Sequence, residues 1–127
     1  MSRADVLYLR ASDLLALEAL IHNAAGGRDA DSAARLDEEL ARATIVPDHA
    51  LPRGTVALDS RVRFRDETTG RVRDITLVLP AHATAAEGRV SVLSPIGSAL
   101  IGLGIHDRID WPLPGGKRSR LQVLDVD

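Results

Sequence analysis

Apolar residues in the first part of the chain recur at helical spacing. Leu14, Leu17 and Ile21, with Leu20 beside them, fall at i, i+3 and i+7, the stripe of an amphipathic helix. Ser12-Asp13 reads as an N-cap with an acidic first turn, and Gly26-Gly27 stops the helix. Asp29 or Asp31 then caps a second helix, in which Ala33, Leu36, Leu40 and Ala43 form one apolar seam. Two helices of roughly ten residues each span about 15 Å. Pieces that short must pack on one another or on the remainder, so a short antiparallel helical hairpin is expected. Thr44–Gly54, with Pro47, Pro52 and Gly54, reads as a connector.

Beyond the connector the period changes from helical to two-residue. The boundary is placed near Leu51, giving a hairpin and connector over 1–50 and a second domain over 51–127. Arg61-Val62-Arg63-Phe64-Arg65 alternates strictly, with Val62 and Phe64 inward. Thr68-Thr69-Gly70 is a turn and Arg71–Leu79 a second strand. The phase of that strand breaks between Val72 and Ile75, so a bulge is expected near Arg73-Asp74. Pro80 ends it, His82–Gly88 is a loop, and Arg89–Leu93 is a third strand. Ser94-Pro95 reads as an N-cap with proline at the first helical position, opening a short helix that Gly102 and Gly104 end. Arg108–Trp111 and Arg120–Val126 are two more strands, joined by the loop Pro112–Gly116. The fold class is therefore α+β, an antiparallel sheet with one short helix.

Composition narrows the chemistry. The chain of 127 residues is 45% apolar and 27% charged, which is globular rather than disordered. One Trp, one Tyr and one Phe leave little for an aromatic ligand pocket or a base-stacking platform. Without cysteine, disulfides, thiolate metal sites and cysteine catalysis are excluded. No apolar run reaches the roughly 18–20 residues of a membrane span, and Met1–Arg10 lacks the pattern of a signal peptide, so a cytoplasmic location is expected. Residues 1–50 carry five Arg against nine Asp or Glu, whereas residues 51–127 carry eleven Lys or Arg against nine acids. An acidic front and a mildly basic back point to two surfaces with different partners.

No catalytic set emerges. His22, His49, His82 and His106 show no metal-ligand spacing, so no metal and no cofactor are expected. Gly97–Gly102 has the gap of a phosphate loop but is followed by Leu103-Gly104, and Ser98 is not in a Gly-x-Ser-x-Gly elbow. The strongest charge pattern is Arg61, Arg63 and Arg65 on one strand face, opposite Arg71 and Arg73 across the turn. Five guanidinium groups on one ribbon suit phosphates or an acidic protein surface. A solvated face neutralised by Asp66, Glu67 and Asp74 explains the same pattern.

One block goes further. Val90-Ser91-Val92-Leu93-Ser94-Pro95-Ile96-Gly97-Ser98-Ala99-Leu100-Ile101-Gly102-Leu103, followed by Asp107-Arg108-Ile109-Asp110-Trp111-Pro112, resembles the C-terminal domain of GreA/GreB-type transcription factors. Within that family the layout, with its short leading hairpin, is similar to the Rnk subgroup, the regulators of nucleoside diphosphate kinase. The resemblance implies an FKBP-like α+β fold without prolyl isomerase activity, and docking on RNA polymerase near its secondary channel. It implies a non-enzymatic regulator of transcription elongation, expected to act as a monomer. In GreA and GreB a coiled coil of several tens of ångströms enters the channel, and its acidic tip helps hold a catalytic Mg²⁺ for transcript cleavage. Helices of about 15 Å are too short for that reach, so binding without cleavage is expected, with Asp29 and Asp31 at the hairpin tip as helix caps. The candidate contact surface is Ser94, Pro95, Ile96, Gly97, Ser98 and Leu100, with Glu87 from the loop Ala83–Gly88. Ser94-Pro95 reads equally well as a plain helix cap. The alternative is a nucleic-acid-binding module using the arginine face, or a weak nucleic-acid contact beside the polymerase. The family usually has Gly-Asp where this chain has His106-Asp107, a substitution that matters if the position requires positive φ.

Overall fold

The computed structural model describes residues 6–112, 116 and 118–127, with residues 111 and 112 described by backbone alone. The first element of the described residues is strand β1 (Tyr8–Arg10), followed directly by helices α1 (Ala11–Ala24) and α2 (Ala30–Leu40) and strand β2 (Thr44–Val46). β1 and β2 pair in parallel, Leu9 beside Ile45, and so close the root of the hairpin. The connector expected over Thr44–Gly54 thus carries a strand, one too short to show a period.

The two helices pack on one another, burying Leu17 from α1 and Ala33, Leu36 and Leu40 from α2. At 14 and 11 residues they span about 21 and 16 Å, so α1 is longer than its pattern implied. The capping differs too. Arg10 occupies the cap position of α1 without a side-chain capping bond, and Asp48 from the connector accepts from Ser12 N–H at 3.0 Å. Asp13 supplies the acidic first turn that the sequence implied, but it is buried rather than exposed. Asp29 occupies the cap position of α2 but makes no capping hydrogen bond, and Asp31 lies in the first turn, where the helix dipole favours it.

The remaining strands are β3 (Arg61–Asp66), β4 (Val72–Val78), β5 (Arg89–Ser91), β6 (Arg108–Pro112) and β7 (Arg118–Val126), with α3 (Pro95–Leu100) between β5 and β6. They form one sheet in the order β5-β4-β3-β7-β6. The expectation of an antiparallel sheet needs correction, because β4 and β5 run parallel. The loop Leu79–Gly88 carries the chain back beside Thr76 of β4 before β5 begins, and Thr84 and Arg89 exchange backbone bonds of 3.0 and 3.1 Å to brace it. Most of the loop expected over Pro112–Gly116 lies outside the described residues.

The expected bulge in β4 is absent. Val62 faces Ile75, Phe64 faces Arg73 and Arg65 faces Val72 in unbroken register. Val72 is simply an apolar residue on the outer face, 50% exposed. The bulge lies in β7, where the partner of β3 jumps from Val123, opposite Phe64, to Asp125, opposite Arg63. Leu124 is the extra residue, and the shift turns Val126 inward opposite Val62. Val62, Phe64, Ile75, Leu77, Ile109, Leu121 and Val123 line the inner face and share one apolar cluster with Leu17, Leu36 and Leu40 of the hairpin.

Candidate functional site

The segment Ser94–Leu100 forms as its sequence implies. Ser94 Oγ accepts from Gly97 N–H at 3.0 Å and donates to Ser91 O at 2.7 Å, while Ser98 N–H bonds Ser94 O at 2.9 Å. Proline at the first helical position loses nothing by lacking an N–H. The same closeness withdraws much of the candidate surface. Gly97, Ser98 and Leu100 are buried, whereas Pro95 is exposed and Ser94 and Ile96 are partly so. The Gly97 and Ser98 N–H groups are spent inside the turn, so they are not the open donors expected of a helix start. What faces solvent is an apex of Ser94, Pro95 and Ile96. Glu87 is exposed in a separate helical turn, Ala85–Glu87, ended by Gly88 at φ +69°.

Gly97 shows why the apex has its shape. A Cβ there would overlap the carbonyl oxygen of Ser91 and lie 2.9 Å from Val92 Cα. The helix therefore rests on the end of β5 with backbone against backbone. On the other side, Gly104 N–H donates to Asp107 Oδ2 at 2.7 Å and His106 N–H to Val123 O at 2.8 Å, forming the turn into β6. His106 has φ +77°, so the position does require the left-handed region where glycine is favoured.

The arginine ribbon is not one face. Opposed residues in an antiparallel pair share a side of the sheet, and Arg73 opposes Phe64 on the inner side, its guanidinium carbon 5.8 Å from the ring centroid. Arg71 lies before β4, its carbonyl accepting from Asp66 N–H at 2.8 Å. Arg61, Arg63 and Arg65 do share the outer face. Arg63 grips Asp74 through Nε and Nη2 at 2.8 and 3.2 Å. That hydrogen bonding holds Asp74 below its usual carboxylate range and raises Arg63. Asp125 and Asp127 lie along the same rows. Register also brings Arg108, Arg118 and Arg120 to this face, which the linear pattern did not reveal because they sit on other strands. Arg120 pairs with Asp110 at 2.8 Å and Arg108 with Glu67 at 3.2 Å. The outer face is thus a grid of arginines and carboxylates rather than a continuous cationic strip.

Among the described residues, no group of three or more His, Asp or Glu side chains is gathered as a metal site. No helix of the described residues is long and apolar enough to cross a membrane. The hairpin tip, Gly26-Gly27-Arg28-Asp29, is fully exposed.

A two-part chain of this kind, a helical hairpin rooted beside a sheet that carries a Ser-Pro-initiated helix, has known counterparts. Residues 51–127 match the family model for the C-terminal part of the transcription elongation factors GreA/GreB, and the chain belongs to that family. Residues 3–46 match the model of the Rnk N-terminus, which places the chain with the Rnk branch. It is 42% identical over 92 residues to the "Regulator of nucleoside diphosphate kinase" of Escherichia coli K12, covering 72% of this chain and 68% of that one. It is 36% identical over 93 residues to the "Transcription elongation factor GreA" of Beijerinckia indica, covering 73% of this chain but only 59% of the relative. Among solved structures, a GreA/GreB elongation factor from Nitrosomonas europaea is 33% identical, with a TM-score of 0.76 over 97% of this chain and 98% of that one. Gfh1 of Thermus aquaticus, 21% identical with a TM-score of 0.52 over 97% of this chain and 99% of that one, shares the fold.

Proposed function

We propose that the chain is a bacterial regulator of transcription elongation that docks on RNA polymerase near the secondary channel and does not stimulate transcript cleavage. In this reading residues 51–127 form an FKBP-like docking domain without isomerase activity, residues 1–50 form the hairpin and its connector, and the protein works in the cytoplasm as a non-enzymatic factor. The relatives support it, being named as regulators and elongation factors. The observation that carries the second half of the proposal is length. Helices of 14 and 11 residues reach about 21 Å at most, well short of the coiled coil of a cleavage factor. Asp29 and Asp31 would therefore stop outside the catalytic centre.

The docking surface is the apex Ser94, Pro95 and Ile96, with Glu87 as an outlying contact. Pull-down with core polymerase tests it: Pro95→Glu should abolish capture while leaving the fold intact, and undiminished capture would reject the site. Adding the chain to stalled elongation complexes should release no RNA fragments. Cleavage that disappears in Asp29→Ala/Asp31→Ala would reject the claim of binding without cleavage. A second reading, a weak nucleic-acid contact on the outer sheet face, draws support from the recruitment of Arg108, Arg118 and Arg120 beside Arg61 and Arg65. The interleaved carboxylates weigh against it. It requires affinity for DNA or RNA that falls steeply with salt.

A further inference from the structure

Two side chains at the root of the hairpin grip one backbone position in the second half of the chain. Arg10 Nη2 donates to Leu58 O at 2.9 Å, and Leu58 N–H donates to Asp13 Oδ2 at 3.0 Å. Arg10 Nε stands 3.0 Å from Asp13 Oδ1, so the two contacts close into a ring. Asp13 is only 4% exposed, and a buried carboxylate persists only where its oxygens are satisfied. Here Oδ2 accepts the Leu58 N–H, while Oδ1 faces the Arg10 guanidinium as an ion pair whose Nε–H is not aligned for a hydrogen bond.

The contact differs in kind from the apolar contact around it. Leu17, Leu36 and Leu40 share a cluster with Leu58 and Leu100, which holds the hairpin to the sheet domain but tolerates sliding, because apolar burial has no direction. The Arg10–Asp13–Leu58 ring is directional, fixing the first turn of α1 against both backbone polar groups of one residue. A longer backbone bond, Tyr8 N–H to Gly102 O at 3.3 Å, crosses at the same root. The Asp48 cap on Ser12 ties α1 only to its own connector.

We propose that Arg10 and Asp13 are positioning residues that set the angle at which the hairpin leaves the sheet domain. They thereby fix where its tip stands relative to the Ser94–Ile96 apex. The consequence for polymerase rests on the docking reading above; the mechanical claim does not. With the ring removed, the hairpin stays attached through its apolar face but no longer holds one orientation.

The absence of cysteine allows a direct test. Spin labels on Arg28→Cys at the tip and Arg65→Cys on β3, both exposed positions, report the hairpin-to-sheet distance by pulsed electron resonance. The otherwise unaltered chain should give a single narrow distance. Arg10→Leu/Asp13→Leu, which removes both charges together and leaves no unpaired ion, should keep its circular dichroism spectrum below a lowered melting temperature and lose the narrow peak. Leu17→Ala serves as a control, since it lowers stability without touching the ring and should keep the peak. A narrow peak in the double variant, or equal broadening in the control, overturns the proposal. In a second arm, the double variant should bind core polymerase but displace a GreA-type factor less well than the wild type. Equal displacement overturns the positioning role. Failure of the wild type to bind at all rejects the docking reading and leaves the distance result standing.

Discussion

Replacing Gly97 by alanine should destabilise the protein, although alanine is the better helix former. The residue lies inside α3 and has no positive φ, so its backbone is open to any residue and only space decides. Helix propensity alone favours alanine by about 1 kcal/mol. Against it, the new methyl would overlap the Ser91 carbonyl oxygen and approach Val92 Cα to 2.9 Å. Both obstacles are backbone, held by Ser94 N–H to Ser91 O at 3.0 Å and Val92 N–H to Val78 O at 2.8 Å, so neither yields as a side-chain tip would. Overpacking of this kind costs about 1–3 kcal/mol, and a rigid obstacle puts this case at the upper end. The net loss is then about 1–2 kcal/mol, or roughly 4–8 °C in Tm for a chain of this size. Thermal unfolding followed by circular dichroism measures it. Gly27→Ala, whose Cβ meets only Ala24 O at 3.5 Å, is the matched control and should shift Tm little. A Gly97→Ala melting temperature equal to or above wild type would show that α3 does not rest on β5 as described.

The other predictions concern positions outside α3. His106→Gly relieves a residue at φ +77° and should raise stability by about 0.5–1 kcal/mol; a lower Tm would mean the imidazole makes a compensating contact. Asp13→Ala strands the Leu58 N–H and a partly buried Arg10, a loss of about 2–3 kcal/mol by denaturant titration; a change below 0.5 kcal/mol, of about the size of a surface substitution, would deny the ring any role in stability. Asp48 is held below its ordinary value of 3.8 first by its hydrogen bond with Ser12, and Asp74 first by that with Arg63. Groups with lowered folded values stabilise above their unfolded pKa and lose that contribution as pH falls through the folded one. Stability should therefore decline as pH falls below about 4, and Asp48→Asn/Asp74→Asn should flatten the decline; an unchanged slope would contradict both pairings.

Where a pattern was carried by consecutive residues, the sequence was enough to read it. The strict alternation of Arg61–Arg65, the Ser94-Pro95 helix start and the seam Ala33, Leu36, Leu40 all appear where periodicity or capping chemistry put them. What depended on pairing was not readable. β1 and β2 are three residues each and exist because they pair with one another across the hairpin. The phase break at Val72 invited a bulge in β4, but register shows an exposed valine there and places the bulge at Leu124, whose signal was the inward turn of Val126. Arg73 looked equivalent to Arg63, and only the pairing with Phe64 reveals that it faces the other way. The cap of α1 failed similarly: Arg10 occupies it rather than Ser12-Asp13, and a partner 45 residues away claims the carboxylate of Asp13 in the first turn. The positive φ at His106 was legible only as a question raised by family resemblance.

The proposed function requires a shared dock on RNA polymerase without a shared activity. A displacement titration tests it most directly, with fluorescently labelled chain bound to purified core polymerase and a GreA-type factor added in increasing amounts. Full, mutually exclusive displacement at one site, lost in Pro95→Glu, with no RNA cleavage by the chain in the same complexes, is the expected result. Simultaneous binding of both proteins, or no binding of the chain at all, would contradict it.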